Sequence, residues 1–353
     1  MPSLVSKLTA APLNPWITGT LHWLLTSSPA RLRLPLLIGL HSRLSGKNVE
    51  KLIRALKVLW LIGLARDLNV KLNSWALNNW TWKTEKDKWV WNWEVAVVTG
   101  GCSGIGKEIV QGLAAKGVKV AVLDIQALPT EFENNSKITF FHCDVTSPSS
   151  IAEAAKAVRT TLGEPSILVN NAGVGKPHSI LDTTNEWVTK IFQINIISHF
   201  WLVKEFLPHM IAKNKGHIIG MASMASFVAP PGIVDYGSTK AAVMAFHEGL
   251  GQEIKHIYKT PGVLNTVVHP SWVRTPLVAG YEDHLDKTQG GLMRVDVIGK
   301  KIVNQILSCR GGQLIIPSKL RIAAGIRGNP NWLQELIRDM AVGKAGSKFP
   351  SVP

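Results

Sequence analysis

Val95-Ala96-Val97-Val98-Thr99-Gly100-Gly101-Cys102-Ser103-Gly104-Ile105-Gly106 is the stretch that decides the fold. Its first five residues are a near-continuous apolar run, as expected of a strand covered on both faces. A glycine-rich loop follows, and residues 107–116 carry a helical pattern that Gly117 ends. In such a turn Gly100 permits the tight reversal, Gly104 lets backbone approach a pyrophosphate, and Gly106 lets helix and strand pack closely. Ser103 and Ile105 share the loop, and the helix N-terminus offers its free N–H groups to the anion. Glycine loops also serve as plain turns. The position between strand and helix gives this one its weight.

Working outward, six more strand candidates appear: Val118–Asp124, Ile138–His142, Ile167–Asn170, His217–Ala222, Leu264–His269 and Gln313–Ile316. Helical patterns such as Ser149–Leu162 lie between them. This alternation predicts an α/β fold, a Rossmann-type doubly wound parallel sheet of about seven strands. Asp124 closes the second strand, 18 residues beyond Gly106. A carboxylate there accepts both ribose hydroxyls of NAD and repels a 2′-phosphate. Ser103 stands where a basic residue would help bind that phosphate, so NAD is favoured. Lys107, within reach of a phosphate, keeps NADP open.

The 353 residues are 46% hydrophobic and 18% charged, enough to bury a core and too apolar for general disorder. Cys102, Cys143 and Cys309 are too scattered for a disulfide framework or a structural zinc site. His142-Cys143 lacks partner ligands at metal spacing, and no metal is expected. A cysteine beside a helix N-terminus can be redox-sensitive, but Cys102 reads better as a small loop filler. His269 reads as a buried, satisfied histidine. The formal charge of +15 points to an anionic partner: a membrane surface, a nucleic acid or a phosphorylated ligand.

Nine of the thirteen tryptophans precede residue 95, in company with 13 Lys and Arg and only five Asp and Glu. Trp with Lys and Arg is the composition of a membrane interface. Leu8–Ala30 is uncharged but broken by Pro12, Pro15 and Pro29, a weak spanning candidate, and it does not read as a cleaved signal. Lys47, Lys51, Arg54 and Lys57 share one helical stripe opposite Leu52, Ile53, Leu56, Leu59 and Trp60, which predicts a basic amphipathic helix in a headgroup layer. The plainer alternative is a helix packed on the globular domain. Trp89, Trp91 and Trp93 alternate as one face of a short strand would. Residues 1–93 are thus expected to be a basic, Trp-rich, membrane-associating extension, residues 94–318 the NAD(P)-binding domain, and residues 319–353 an amphipathic helical tail. That tail could cap the substrate site, touch lipid or simply pack on its own domain.

The remaining motifs carry the chemistry. Thr99–Gly106, Asp144-Val145 after the third strand, Asn170-Asn171-Ala172-Gly173, and Ser223 thirteen positions before Tyr236-x-x-x-Lys240 together resemble the short-chain dehydrogenase/reductase family. Pro270-Ser271-Trp272-Val273-Arg274-Thr275 is similar to the family's PGxVxT segment near nicotinamide, with Ser271 replacing the usual glycine, so the local turn is expected to differ. The resemblance spans roughly Val95 to Ile316. It implies that Asp144 and Val145 contact adenine, that Asn171, Ala172 and Gly173 line the cofactor, and that Pro270, Val273 and Thr275 flank the nicotinamide. It also implies that Asn195 joins Ser223, Tyr236 and Lys240 in a catalytic tetrad, supporting a water chain from Lys240. Homodimerisation through the helices near Asn195 and Tyr236 is implied likewise.

The residues make chemical sense on their own. Tyr236 and Lys240 lie one helical turn apart and meet on one face. A free tyrosine has a pKa of about 10, which a nearby ammonium is expected to lower. Tyr236 then exchanges a proton with the substrate oxygen while hydride moves to or from nicotinamide, and Ser223 holds that oxygen in place. Ser223 and Tyr236 are therefore the substrate-binding pair, and Lys240 also holds the cofactor ribose.

Within the family, the basic apolar front end, Ile167–Val174, Asn195–Trp201 and Leu314–Ser318 resemble the membrane-bound retinol dehydrogenases and 17-beta-hydroxysteroid dehydrogenases of endoplasmic reticulum and lipid droplets. That implies a lipophilic alcohol as substrate, a retinoid, steroid or long-chain lipid, and location at such a membrane. The loop Pro276–Asp296 supplies apolar surface for it and has the length of a lid. Two other classes remain: a lipid-surface binding protein that keeps the cofactor fold with little catalysis, and a nucleic-acid binder using interleaved Lys and Trp. The intact Ser, Tyr, Lys and Asn set opposes the first. The absence of any nucleic-acid motif opposes the second, so nucleic acid is not an expected partner.

Overall fold

A computed structural model describes residues 13–289 and 291–345. Lys7, Pro12 and the first part of the Leu8–Ala30 segment lie outside the described residues, as do Gly290 within the Pro276–Asp296 loop and the end of the tail from residue 346. The chain divides into two compact units, Met1–Ala76 and Leu77–Pro353. The second unit therefore takes in 77–93, which the sequence reading gave to the extension.

In the first unit, α1 (Pro15–Thr26) starts at Asn14, whose side chain accepts from the Trp16 N–H at 3.0 Å. Helix α2 (Ala30–His41) contains Pro35, and α3 (Gly46–Leu77) runs for 32 residues, well past the expected stripe. Apolar side chains face solvent on all three, among them Trp16, Trp23, Ile38, Leu61, Ile62 and Leu68. Among the described residues no helix is long and apolar enough to cross a membrane.

The second unit is built on seven parallel strands in the order β3-β2-β1-β4-β5-β6-β7. They are β1 (Val95–Thr99), β2 (Lys119–Asp124), β3 (Ile138–His142), β4 (Ile167–Asn170), β5 (Gly216–Met221), β6 (Val263–Pro270) and β7 (Gly312–Ile316). The predicted runs match these strands to within a residue at each end. Alternate residues of each strand face opposite sides. Ala96, Val98, Val120 and Val122 join a core with α4 (Gly104–Ala114) and α10 (Val295–Leu307). Val95, Val97, Ala121 and Leu123 join a second core with α5 (Pro148–Leu162) and α7 (Ser198–Lys213). This two-sided burial is why the strands read as continuous apolar runs. Helix α4 stops where Gly117, at φ +87°, takes the left-handed conformation that favours glycine.

Helix α6 (Asn185–Phe192) passes through a π-helical turn, Gln193–Ile197, into α7, and α8 (Val234–His256) follows β5. The Pro276–Asp296 loop holds α9 (Glu282–Gln289), and the tail holds the four-residue α11 (Arg321–Ala324) and α12 (Asn331–Ala345). Trp89, Trp91 and Trp93 do not form a strand face. Two short 3-10 turns place them, Lys86–Lys88 and Trp91–Trp93. Trp89 is buried in the first core and stacks on Trp91 at 5.5 Å, while Trp93 is 81% exposed. Part of the front tryptophan cluster is thus core filling, and Lys215 lies over the Trp89 ring at 4.9 Å.

Candidate active site

The strand order reverses between β1 and β4, and the loops at their C-terminal ends open into a crevice there. The glycine loop lies at this point. A Cβ on Gly106 would stand 2.1 Å from the Gly100 carbonyl oxygen and 2.5 Å from Asn171 Nδ2, so only glycine lets α4 approach this closely. Thr99 Oγ1 accepts from the N–H groups of Asn171 and Ala172, each at 3.0 Å. Asn171 Nδ2 in turn donates to the carbonyls of Thr99 and Gly100 at 3.0 and 3.1 Å. The Asn-Asn-Ala-Gly segment therefore props the phosphate loop as well as lining the crevice.

Asp124 is buried at the end of β2, where a lone carboxylate would be costly. Its oxygens accept from the N–H groups of Cys102 at 2.9 Å and Gln126 at 3.0 Å. Each oxygen keeps a lone pair for a ribose hydroxyl. Burial and the neighbouring Asp124 push the Cys102 thiol up to about 12, so it stays protonated and inert, a loop filler. Lys107 is ion-paired to Glu131 at 3.0 Å. Asp144 accepts from Thr146 N–H and Oγ1, both at 2.8 Å, and Val145 is buried beside it.

The catalytic candidates converge from β5 and α8. Ser223 follows β5, and its Oγ accepts from the Ala225 N–H at 3.2 Å. Tyr236 stands in the first turn of α8, where the Ser223 side chain acts to lower its pKa. Lys240 is 4% exposed. Its Nζ donates to the Met221 carbonyl at 2.8 Å and lies 5.5 Å from the centroid of the Tyr236 ring. Burial lowers Lys240 to about 8, which leaves it mostly an ammonium at neutral pH. The expectation that the ammonium depresses Tyr236 does not hold here. Burial raises the tyrosine, the Ser223 side chain lowers it only partly, and Lys240 spends a proton on Met221.

Asn195 occupies the π-helical turn and is fully buried. Its Oδ1 accepts from Val174 N–H at 2.8 Å, and its two Nδ2 protons go to Val174 O at 2.9 Å and Thr239 Oγ1 at 3.1 Å. The side chain is thus a strut between the Gly173-Val174 segment and α8, with no donor left for a water chain. His269 is satisfied at both ring nitrogens, by Ser223 O at 3.1 Å and Gln313 Nε2 at 3.2 Å. Burial lowers it to about 4. Ser271 needs no glycine conformation: its φ is not positive, and its N–H donates to Ile316 O at 2.8 Å.

One cavity of about 760 Å³ gathers the two halves. Its walls include Gly100, Ser103, Gly104, Ile105, Asp124, Asp144, Val145, Asn171, Ala172, Gly173, Ser223, Tyr236, Lys240, Pro270, Val273 and Thr275. Gly106 and Asn195 stand behind the wall rather than in it. The loop fits a nicotinamide dinucleotide: a glycine cradle no Cβ could share, a helix N-terminus and a carboxylate with spare lone pairs.

Residues 94–286 match the family model described as short chain dehydrogenase, more than half of the chain. The chain belongs to the short-chain dehydrogenase family.

This short-chain dehydrogenase is 40% identical over 201 residues to Dehydrogenase RED2 of Cochliobolus heterostrophus, covering 56% of this chain and 75% of that protein. It is 30% identical over 233 residues to human Estradiol 17-beta-dehydrogenase 11, covering 64% and 76%. Among solved structures, 3-ketoacyl-(acyl-carrier-protein) reductase from Brucella melitensis complexed with NADH aligns with a TM-score of 0.56 at 22% identity, over 63% of this chain and 96% of that one. That last likeness is one of fold. The short-chain dehydrogenase described here is an oxidoreductase acting on CH–OH groups with a nicotinamide cofactor, and it resembles the hydroxysteroid dehydrogenase group.

Sequence reasoning missed much of this dehydrogenase's outer wall. Trp187, then Val228, Pro230 and Ile233 of one loop, and Leu320 come from three separate stretches and share no spacing. Leu277, Tyr281 and Leu285 of the expected lid do line the cavity, with Leu285 buried.

Proposed function

We propose that this dehydrogenase interconverts a lipophilic secondary or allylic alcohol and its carbonyl with NAD, working at a lipid surface. The observation that carries the reading is the wall beyond Ser223 and Tyr236. It is apolar, built from Val228, Ile233, Leu277, Val278 and Leu285. Binding there is driven by removing apolar surface from water. When bound, nicotinamide supplies hydride acceptance and donation. Ser223 Oγ hydrogen-bonds the substrate oxygen, and Tyr236 Oη gives or takes its proton. The Lys240 ammonium beneath the ring favours whatever negative charge the phenol oxygen gains.

The Asp124 carboxylate supports NAD over NADP, and Lys107 is engaged by Glu131 rather than waiting for a phosphate. The solvent-facing Trp16, Trp23, Ile38 and Leu61, near exposed Lys51, Arg54 and Lys57, support association with an anionic lipid surface such as endoplasmic reticulum or a lipid droplet.

The test uses the full chain in detergent with retinoid, steroid and long-chain alcohols, and with NAD or NADP. NADH formation that is best on an apolar alcohol is expected. Turnover confined to small polar alcohols would overturn the substrate reading, and cofactor binding without any turnover would favour a binding role. Flotation with anionic vesicles, set against oligonucleotide binding, tests the surface.

A further inference from the structure

Asp235 precedes the catalytic tyrosine and is only 5% exposed. A buried carboxylate is retained only with partners. Three surround it. Trp187 Nε1 on α6 donates to Oδ2 at 2.7 Å. The Tyr236 backbone N–H donates to Oδ1 at 2.7 Å. His178 Nε2 lies 3.2 Å from Oδ2 with both side chains buried, a close packing contact without hydrogen-bond geometry. Ile233, which precedes helix α8, offers no side-chain cap, so Asp235 answers a first-turn N–H that would otherwise be unpaired.

His178 N–H donates to Gly232 O at 2.8 Å, and its ring meets Trp187 edge-on at 6.2 Å. Lys176 Nζ sits over the other aromatic, 4.5 Å from the Trp187 ring centroid. Between them, a Cβ on Gly175 would come 2.8 Å from Tyr236 Cδ2, so this strip presses on the tyrosine ring itself. Gly175, Lys176, Pro177 and Trp187 all line the cavity.

We propose that Asp235 is a positioning residue: through Trp187 and His178 it clamps the Gly175–His178 strip against the Tyr236 ring and so fixes where the tyrosine hydroxyl meets substrate. Asp235 itself does not line the cavity. The clamp rests on the dehydrogenase reading for its effect on rate, though not for its effect on structure.

The test compares wild type with Asp235→Ala, Asp235→Asn and Trp187→Phe. Cofactor affinity is read by NADH fluorescence, kcat and KM on the best alcohol, and amide hydrogen exchange over 173–184. Misplacing a reacting group by about 1 Å costs roughly 100-fold. Asp235→Ala is therefore expected to lower kcat by about 10- to 100-fold, with NADH affinity within about two-fold of wild type and faster exchange in 173–184. Asp235→Asn, which keeps an acceptor for Trp187, should recover most of the rate. Trp187→Phe should lose rate without adding to Asp235→Ala in the double variant. Unchanged kcat in Asp235→Ala, additive losses, or unchanged exchange would each overturn the clamp. If wild type turns over no alcohol, the dehydrogenase reading has failed, and the exchange measurement alone still decides the clamp.

Discussion

Asp124→Ser is expected to reverse the cofactor preference. The carboxylate is buried at the end of β2 and holds the Cys102 and Gln126 N–H groups at 2.9 and 3.0 Å. Hydrogen bonds to a charged acceptor contribute about 1.5–3 kcal/mol each. Losing one such bond to the ribose should weaken NADH binding by roughly 10- to 150-fold. A 2′-phosphate about 4 Å from the carboxylate would suffer on the order of 4 kcal/mol of repulsion per unit charge at an effective dielectric of 20. Serine removes that, so NADPH should bind more tightly in the variant than in wild type. The two amides left short of an acceptor should also cost about 1–3 kcal/mol of stability each. Fluorescence titration with NADH and NADPH, beside a urea melt, reads all three. A wild type that already prefers NADPH, or a variant that keeps its preference for NADH, would refute the reasoning.

Gly106→Val puts a side chain where a Cβ alone meets Gly100 O at 2.1 Å, so NADH binding should be lost in titration even if circular dichroism shows a folded chain. Leu168→Ala, in a fully buried position of β4, should lower stability by about 2–5 kcal/mol in a urea melt. His247 and His269 are each held at about 4 by burial, below the ordinary 6.5. The unfolded chain binds protons between pH 6.5 and 4 that the native chain refuses, so stability present above 6.5 is lost as pH falls through this window. Between pH 7 and 5 the pair should cost about 4 kcal/mol, and His269→Gln should flatten that fall; an unchanged slope would contradict it.

The sheet was legible because its strands are covered on both sides. Val95–Thr99 and Ile167–Asn170 leave no polar face to confuse the pattern. The cofactor loop was legible because Gly106 and Asp124 are dictated by backbone approach and ribose chemistry at fixed positions. The substrate wall was not, because Trp187, Ile233 and Leu320 meet only through tertiary packing. Asp235 was missed for a similar reason: a carboxylate in a first helical turn reads as solvated, and Trp187 and His178, both far from it in sequence, pack against it. The Tyr236 pKa went the other way from the i,i+4 argument because helical spacing shows that Lys240 is near, not that burial outweighs it or that Met221 O takes one of its protons. Alternation at Trp89, Trp91 and Trp93 gave a strand face where tight turns stand, since two residues of every short turn can also mimic a period of two.

The central claim is that Tyr236 exchanges the substrate proton in a nicotinamide-dependent oxidation. The most direct measurement is NADH formation by wild type and Tyr236→Phe on the same apolar alcohol, with NADH binding measured on both. The account requires turnover in wild type and a loss of about 100-fold or more in the phenylalanine variant, with cofactor affinity retained. Equal turnover by the two proteins, or a folded wild type that binds no cofactor, would contradict it.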